Sequence, residues 1–424
     1  MHLIPIPAGM ETGYFVMGKN VLPELPELLR TAFPGRVIQF VADENTWRAA
    51  GARAAELLNA ANIPMRDPVI FPAVPKPHPD YALSQKIAAE LAPEVTPVAV
   101  GSGVLNDLVK CAVGIAKRPY ACVATAASVD GYTSCGGAMT VEGQKKTVPC
   151  PAPYALLADT EILASAPPEM LASGYADLLT KVPAGADWRI ADALGIEPVE
   201  PVAWQMVQRD LRAWVADPTN LYSIFMGLAA TGYAMQLYRD SRPASGAEHL
   251  FSHVWEMEGL SVNGEAVSHG FKVGIGTLAS IRLMGFVLDT APEEARKLAR
   301  PIPTLEARQA EITELLRRGC YGGGIPETAL GKFQTGAAGE ERRKLIFDRW
   351  GAIQRGIREQ LLPEAEILRL LRAAGAPTEY AEIGLDRAQY LHGIRTAQLI
   401  RKRYTVIDLL YEAGLLETAI ESRL

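Results

Sequence analysis

Paired cysteine motifs are absent from this chain, and so is a surplus of positive charge. Its five cysteines, Cys111, Cys122, Cys135, Cys150 and Cys320, form no Cys-x-x-Cys pair and are odd in number. That pattern argues against a disulfide framework and fits buried thiols in a reducing compartment. Cys135 has no histidine near it in sequence, which argues against a thiol nucleophile. Lys and Arg total 42 against 48 Asp and Glu, a net charge of -6. A mildly acidic chain is a poor general binder of nucleic acid, although a local basic pocket for a small anion remains open. No apolar run approaches the length of a membrane span, and Met1 to Pro7 lacks a basic segment followed by an apolar core. The expectation is a cytoplasmic protein with no membrane insertion. Histidine is also scarce, at six residues, and three of the six crowd into two short segments.

What is present is a globular composition, 49% hydrophobic and 21% charged. A length of 424 residues predicts more than one core. The first part alternates strand and helix signals. Strands are predicted over 37–42, 69–71, 97–100 and 120–126, and helices over 47–61, 81–91 and 105–115, the first capped by Asn45 or Thr46. Such alternation implies a parallel sheet covered by helices, with ligands at the carboxyl ends of its strands. From about Asp159 the patterns turn helical, as in 204–216, 222–237, 305–317 and 365–373, while 339–344 reads as a solvated helix start. The sequence therefore predicts an α/β domain over 1–155 and an all-helical domain over 156–424.

Between a predicted strand and helix stand Gly101, Ser102, Gly103, Val104 and Leu105. Small residues there let backbone N–H groups approach a pyrophosphate at a helix N-terminus. Asn106 occupies the place of a third glycine, so an ordinary tight turn is the other reading. Asp43, at the end of the strand over 37–42, can accept from ribose hydroxyls or simply cap a helix. A second polar loop holds Thr125, Ser128, Asp130 and Ser134, and can bind a ligand or merely turn.

His249, His253 and His269 supply neutral nitrogens that suit a divalent transition metal. Two imidazoles and one carboxylate leave an open coordination position, the pattern of a catalytic site. His249 and His253 share a helix face, which equally fits a packed helix histidine and a capping His269. The carboxylate candidates are Asp177, alone in an apolar helical stretch and also four residues from Lys181, and Asp187 beside Trp188.

In order, the chain carries Gly101-Ser102-Gly103 with Asp107 and Lys110, Ser128-x-Asp130-Gly131 with Ser134, Ala158-Asp159-Thr160, and Gly174-x-x-Asp177 with Lys181. Asp187-Trp188, the run Ser241 to His253, and His269-Gly270-x-Lys272-Val273-Gly274 follow. This set resembles the sn-glycerol-1-phosphate dehydrogenases, within the superfamily of iron-containing alcohol dehydrogenases, glycerol dehydrogenases and dehydroquinate synthases. It spans about Gly35 to Thr277, and Ser241 to Gly246 is the part particular to the glycerol-1-phosphate branch. The resemblance implies a Rossmann-like N-terminal domain and a helical metal domain. It implies Asp177, His249 and His269 as ligands of Zn2+, with Ni2+ or Fe2+ in relatives. It also implies Asp130 and His253 as catalytic, substrate-contacting residues, and Asp43, Gly101, Ser102, Gly103, Val104, Leu105, Thr125, Ser128 and Ser134 at NAD or NADP. Charge alone adds Lys272 or Lys181 for a substrate phosphate. The implied reaction is reversible reduction of dihydroxyacetone phosphate by a homo-oligomeric enzyme. The alternatives are a glycerol or related polyol dehydrogenase and a dehydroquinate synthase-like lyase. Two departures stand out: Phe271 replaces a frequent Glu, and the stretch Glu256 to Ser268 is long.

Overall fold

The structure is a computed structural model that describes residues 1–142 and 144–424. Six strands form one sheet: β1 (Tyr14–Gly18), β2 (Val37–Asp43), β3 (Val69–Phe71), β4 (Val95–Gly101), β5 (Ala121–Ala124) and β8 (Ala155–Asp159), in the order β1-β8-β5-β4-β2-β3. Every pairing in it is parallel. Strands β4, β5 and β8 are buried along their whole length, as strands covered on both faces must be. An antiparallel hairpin of β6 (Gly136–Val141) and β7 (Gln144–Pro149) lies outside the sheet.

The chain folds into two compact units, Met1–Leu178 with Arg212–Asp240, and Leu179–Leu211 with Ser241–Leu424. The sequence put the change of character near 151–159. In the structure that stretch contains β8, which pairs with both β1 and β5 and so belongs inside the sheet. Two predicted helices also differ: residues 204–216 divide into Pro201–Gln208 and Leu211–Trp214, and the helix Leu221–Tyr238 returns to the first unit. The remaining predicted strands and helices fall within a few residues of their observed bounds.

The helices that matter below are α1 (Gly103–Ala116), α2 (Pro168–Leu179), α3 (Lys181–Ala193), α4 (Leu221–Tyr238), α5 (Ala247–Met257), α6 (His269–Asp289) and α7 (Val406–Glu412). The core of the second unit gathers Leu250, Trp255, Leu283, Trp350, Ile394 and Leu409, among others, so the last quarter of the chain completes it. A hairpin of β9 (Ser261–Val262) and β10 (Glu265–Ala266) is the only strand pair in this unit among the described residues. By length and mean hydropathy, 1.5, α6 could cross a membrane, which the sequence reading did not anticipate. Some 78% of its apolar window is buried inside the protein, the condition of a core helix.

A close approach sets the pairing of α5 and α6. A Cβ on Gly276 would lie 2.6 Å from the Glu248 carbonyl oxygen and 2.9 Å from its Cα. Backbone cannot yield cheaply, so glycine is required where the two helices meet. Gly276→Ala should therefore cost about 1–3 kcal/mol through overpacking and lower the Tm. Gly285→Ala, on the same helix with no atom within 4 Å of the added Cβ, should leave the Tm equal or slightly higher; thermal unfolding of the two variants checks the contrast.

Candidate active site

In the first unit the expected cofactor residues gather at the carboxyl edge of the sheet. The chain leaves β2 toward β3 on one side and leaves β4 toward β5 on the other, so the loops after these neighbours diverge. A divergence of this kind opens a crevice, and open α/β sheets bind ligands there. Asp43 ends β2 and Gly101 ends β4, one on each side of it. Ser102 sits at the N-cap of α1 in extended conformation and makes no side-chain cap bond. The first amides of a 14-residue helix thus face this edge. A Cβ on Gly103 would lie 2.7 Å from Val129 Cγ2, so the loops after β4 and β5 touch. Thr125 anchors that contact, its N–H donating to the Gly101 carbonyl at 3.1 Å. Asp43 also performs the capping role: it accepts from Thr46 N at 2.8 Å in a reciprocal capping box, in place of the expected Asn45 or Thr46 cap.

The loop over 125–136 is held from beneath by a buried lysine. Lys110 Nζ donates to the carbonyls of Gly131 (2.7 Å) and Gly136 (3.0 Å) and to Ser134 Oγ (3.2 Å), and lies 3.3 Å from Asp107. Ser134 is thereby engaged within its own loop. Asn106, in the place of a third glycine, accepts from the Tyr120 hydroxyl at 2.9 Å and is buried. The sequence showed Lys110 as part of a motif without revealing this work.

Helix α2 presses directly on the same loop. A Cβ on Gly174 would fall 1.8 Å from the Ala127 carbonyl oxygen, and one turn later the Asp177 carboxylate accepts from Asp130 N at 3.0 Å. The spacing Gly174-x-x-Asp177 has this physical basis: the glycine lets the helix reach the loop, and the aspartate meets it. Helix α4 makes a matching approach, with Gly232 against Thr133. Ser128 and Thr125 are buried, while Asp130 is half-buried.

In the second unit the three histidines come together. The ring centroids of His249 and His269 are 5.1 Å apart, and His253 lies 6.5 Å from His249 and 6.4 Å from His269. His249 Nδ1 meets Glu248 Oε1 at 2.9 Å, which fixes the ring and leaves Nε2 to point elsewhere. Glu248 also accepts from Gly246 N at 2.6 Å. Burial, then the neighbouring Asp187, raise its carboxyl above the usual range. Burial holds His249 well below the ordinary imidazole value and pushes His253 down to about 4, so both rings are neutral at pH 7. A neutral ring is the form that binds a metal. His253 Nδ1 lies 4.0 Å from Glu256, and Lys272 is 3.5 Å from the same carboxylate. His269 opens α6 after the cap residue Ser268.

Asp187, the alternative carboxylate, is otherwise occupied. Its two oxygens accept from Ala247 N and Val406 N, each at 2.7 Å, and it is completely buried. Gly246 is a glycine because a Cβ there would stand 2.4 Å from this carboxylate. The departures from the family pattern are also explained locally. Phe271 packs against the helical core, and the long stretch after His253 completes α5 and forms the exposed β9–β10 hairpin.

The family model of the iron-containing alcohol dehydrogenases matches residues 16–167. A glycerol-1-phosphate dehydrogenase [NAD(P)+] of Halalkalibacterium halodurans is 29% identical over 93% of this chain and 91% of that protein. Another, of Geobacillus stearothermophilus, is 31% identical over 71% of this chain and 78% of its own length. Among solved structures, a probable glycerol dehydrogenase of Sinorhizobium meliloti covers 97% of this chain and 98% of its own at TM-score 0.59 and 15% identity, a likeness of fold. With its histidine cluster, its sheet-edge crevice and these relatives, the chain belongs to the glycerol-1-phosphate dehydrogenase family of the iron-containing alcohol dehydrogenases.

Proposed function

We propose that this protein catalyses reversible hydride transfer between NAD or NADP and a substrate pair, dihydroxyacetone phosphate and sn-glycerol 1-phosphate, with one divalent metal held by Asp177, His249 and His269. The observation that supports the reading is that His249 and His269, on paired helices of the second unit, stand with ring centroids 5.1 Å apart while Glu248 holds His249 Nδ1. The name that the relatives carry, glycerol-1-phosphate dehydrogenase, supports the substrate. Two imidazoles and a carboxylate suit Zn2+, and the same donors accept Ni2+ or Fe2+. The carboxylate on His249 Nδ1 is the support such a ligand needs.

When bound, the metal polarises the substrate oxygen and the dinucleotide supplies or takes the hydride. The chain's own residues do the rest. The amides at the start of α1, with Thr125 and Ser128, hold the dinucleotide's pyrophosphate side, and Asp43 keeps a carboxylate edge for ribose. Neutral His253 takes the hydroxyl proton during oxidation and returns it during reduction, with Glu256 at 4.0 Å to balance the imidazolium charge. Asp130, its backbone fixed by Asp177, and Lys272 complete the substrate contacts. Five free thiols fit action in the cytoplasm.

Four measurements test this reading. His249→Ala should lose both bound metal and activity; full activity without metal would refute the site. Glu248→Gln should keep the fold but weaken metal affinity about 10–100-fold, read by competition with a chelator. Wild-type enzyme should turn over sn-glycerol 1-phosphate far faster than glycerol at equal concentration; preference for free glycerol would instead assign a polyol dehydrogenase. Stoichiometric NADH consumption should accompany ketone reduction, which a lyase that recycles its dinucleotide would not show.

A further inference from the structure

Two of the five thiols meet inside the first unit. Cys111 lies on α1, packed with Leu108, Ala112 and Met139, and Cys150 directly follows the last residue of β7. They are 39 residues apart in sequence, yet their sulfurs stand 2.9 Å from one another. Ordinary contact between carbon atoms, which are smaller than sulfur, is about 3.5–4.0 Å. Only about 0.9 Å separates this pair from the length of a sulfur–sulfur bond. The neighbouring backbone leaves room for the sulfurs, since a Cβ on Gly137 would stand 2.8 Å from Cys111 Sγ. Cys150 Sγ in turn donates to the Val148 carbonyl at 3.1 Å.

The two sulfurs are not equivalent. Cys150 is 8% exposed and Cys111 only 1%, so a small solute reaches Cys150 first. The hydrogen bond from Cys111, working against burial, and the nearby charge of Lys110 bring the Cys150 thiol below its ordinary range. The same bond, together with burial, holds Cys111 well above it. One sulfur is thereby suited to attack as a thiolate while the other waits as a thiol beside it. Cys122, by contrast, is pushed up to about 12 by burial, and Cys135 Sγ donates to the Met235 carbonyl at 3.6 Å.

We propose that Cys111 and Cys150 form an oxidation site, at which a hydroperoxide makes a reversible disulfide that joins α1 to the chain following the β6–β7 hairpin. In the first step the Cys150 sulfur attacks the peroxide. A sulfur–oxygen bond forms, the oxygen–oxygen bond breaks, and the departing oxygen takes up the proton that Cys150 released, leaving as alcohol or water. In the second step the Cys111 sulfur attacks the Cys150 sulfenic acid; the sulfur–sulfur bond forms, the sulfur–oxygen bond breaks, and hydroxide leaves with the Cys111 proton as water. The two thiols give up two electrons and the peroxide gains them. A dithiol reductant reverses the change by exchange. The closed loop encloses Thr125, Ser128, Asp130 and Ser134, and none of this depends on the reaction proposed above.

The test treats the reduced, full-length protein with hydrogen peroxide, alkylates the remaining thiols under denaturing conditions and maps the peptides by mass. Wild type should lose two of its five thiols as a Cys111–Cys150 cross-link within one chain, and dithiothreitol should restore both. Cys320→Ser, which removes the exposed thiol, should form the same cross-link. Cys111→Ser should leave Cys150 as a sulfenic acid that a cyclic 1,3-diketone traps and that excess peroxide carries to the sulfinic acid. Cys150→Ser should leave Cys111 unmodified under the same treatment. Should a serine variant not fold, the wild-type peptide map decides alone. Cys111 and Cys150 both still free once Cys320 is fully oxidised, or joined to partners other than each other, overturn the inference.

Discussion

The second unit is organised around the Asp187 carboxylate. Buried completely, it bonds the first amide of α5 and the first amide of α7. One side chain thus fixes the start of the helix that carries His249 and His253 to the start of a helix from the last part of the chain. Two helix N-termini offer the partial positive charge that makes a buried carboxylate tolerable, although burial still raises its affinity for a proton, to about pKa 7. The same junction requires Gly246, holds Glu248 through Gly246 N, and through Glu248 orients His249. Asp187 therefore acts on the histidines at one remove, with both its oxygens engaged by backbone amides.

Backbone contact plays the corresponding part elsewhere. Gly174 lets α2 press on the loop after β5, and Gly276 lets α6 press on α5. In each case a proposed metal ligand lies within a few residues of the contact or of its partner: Asp177 in the first, His249 in the second. Side-chain packing tolerates small shifts, while main chain against main chain does not. Placing reactive groups beside such contacts gives them fixed positions without needing many hydrogen bonds of their own.

Much of this could be read from residue order. The runs at 37–42, 69–71 and 97–100 have strand length and turn signals, and the small residues after 100 mark the turn from β4 into α1. Scarcity made the histidines visible. The boundary was less legible because β8 is short and apolar, and nothing local tells that it inserts between β1 and β5. Helix α4 returns to the sheet unit for the same reason: its partner, the Thr133 loop, is distant in sequence. Glu248 lies within the run Ser241 to His253, yet its role needs the geometry of His249 Nδ1. The pairing of Cys111 with Cys150 left no local signal at all, since the two are 39 residues apart and meet only through the fold.

The small β9–β10 hairpin between His253 and His269 bears on what sets the distance between imidazoles. Its residues are exposed, and it lies outside the contact at Gly276 that pairs α5 with α6. Separation along the chain is thereby uncoupled from separation in space. Residues can be added to or removed from this turn without touching the Gly276 contact, so the distance between the two imidazoles is set by the pairing of the helices and not by the length of chain between them.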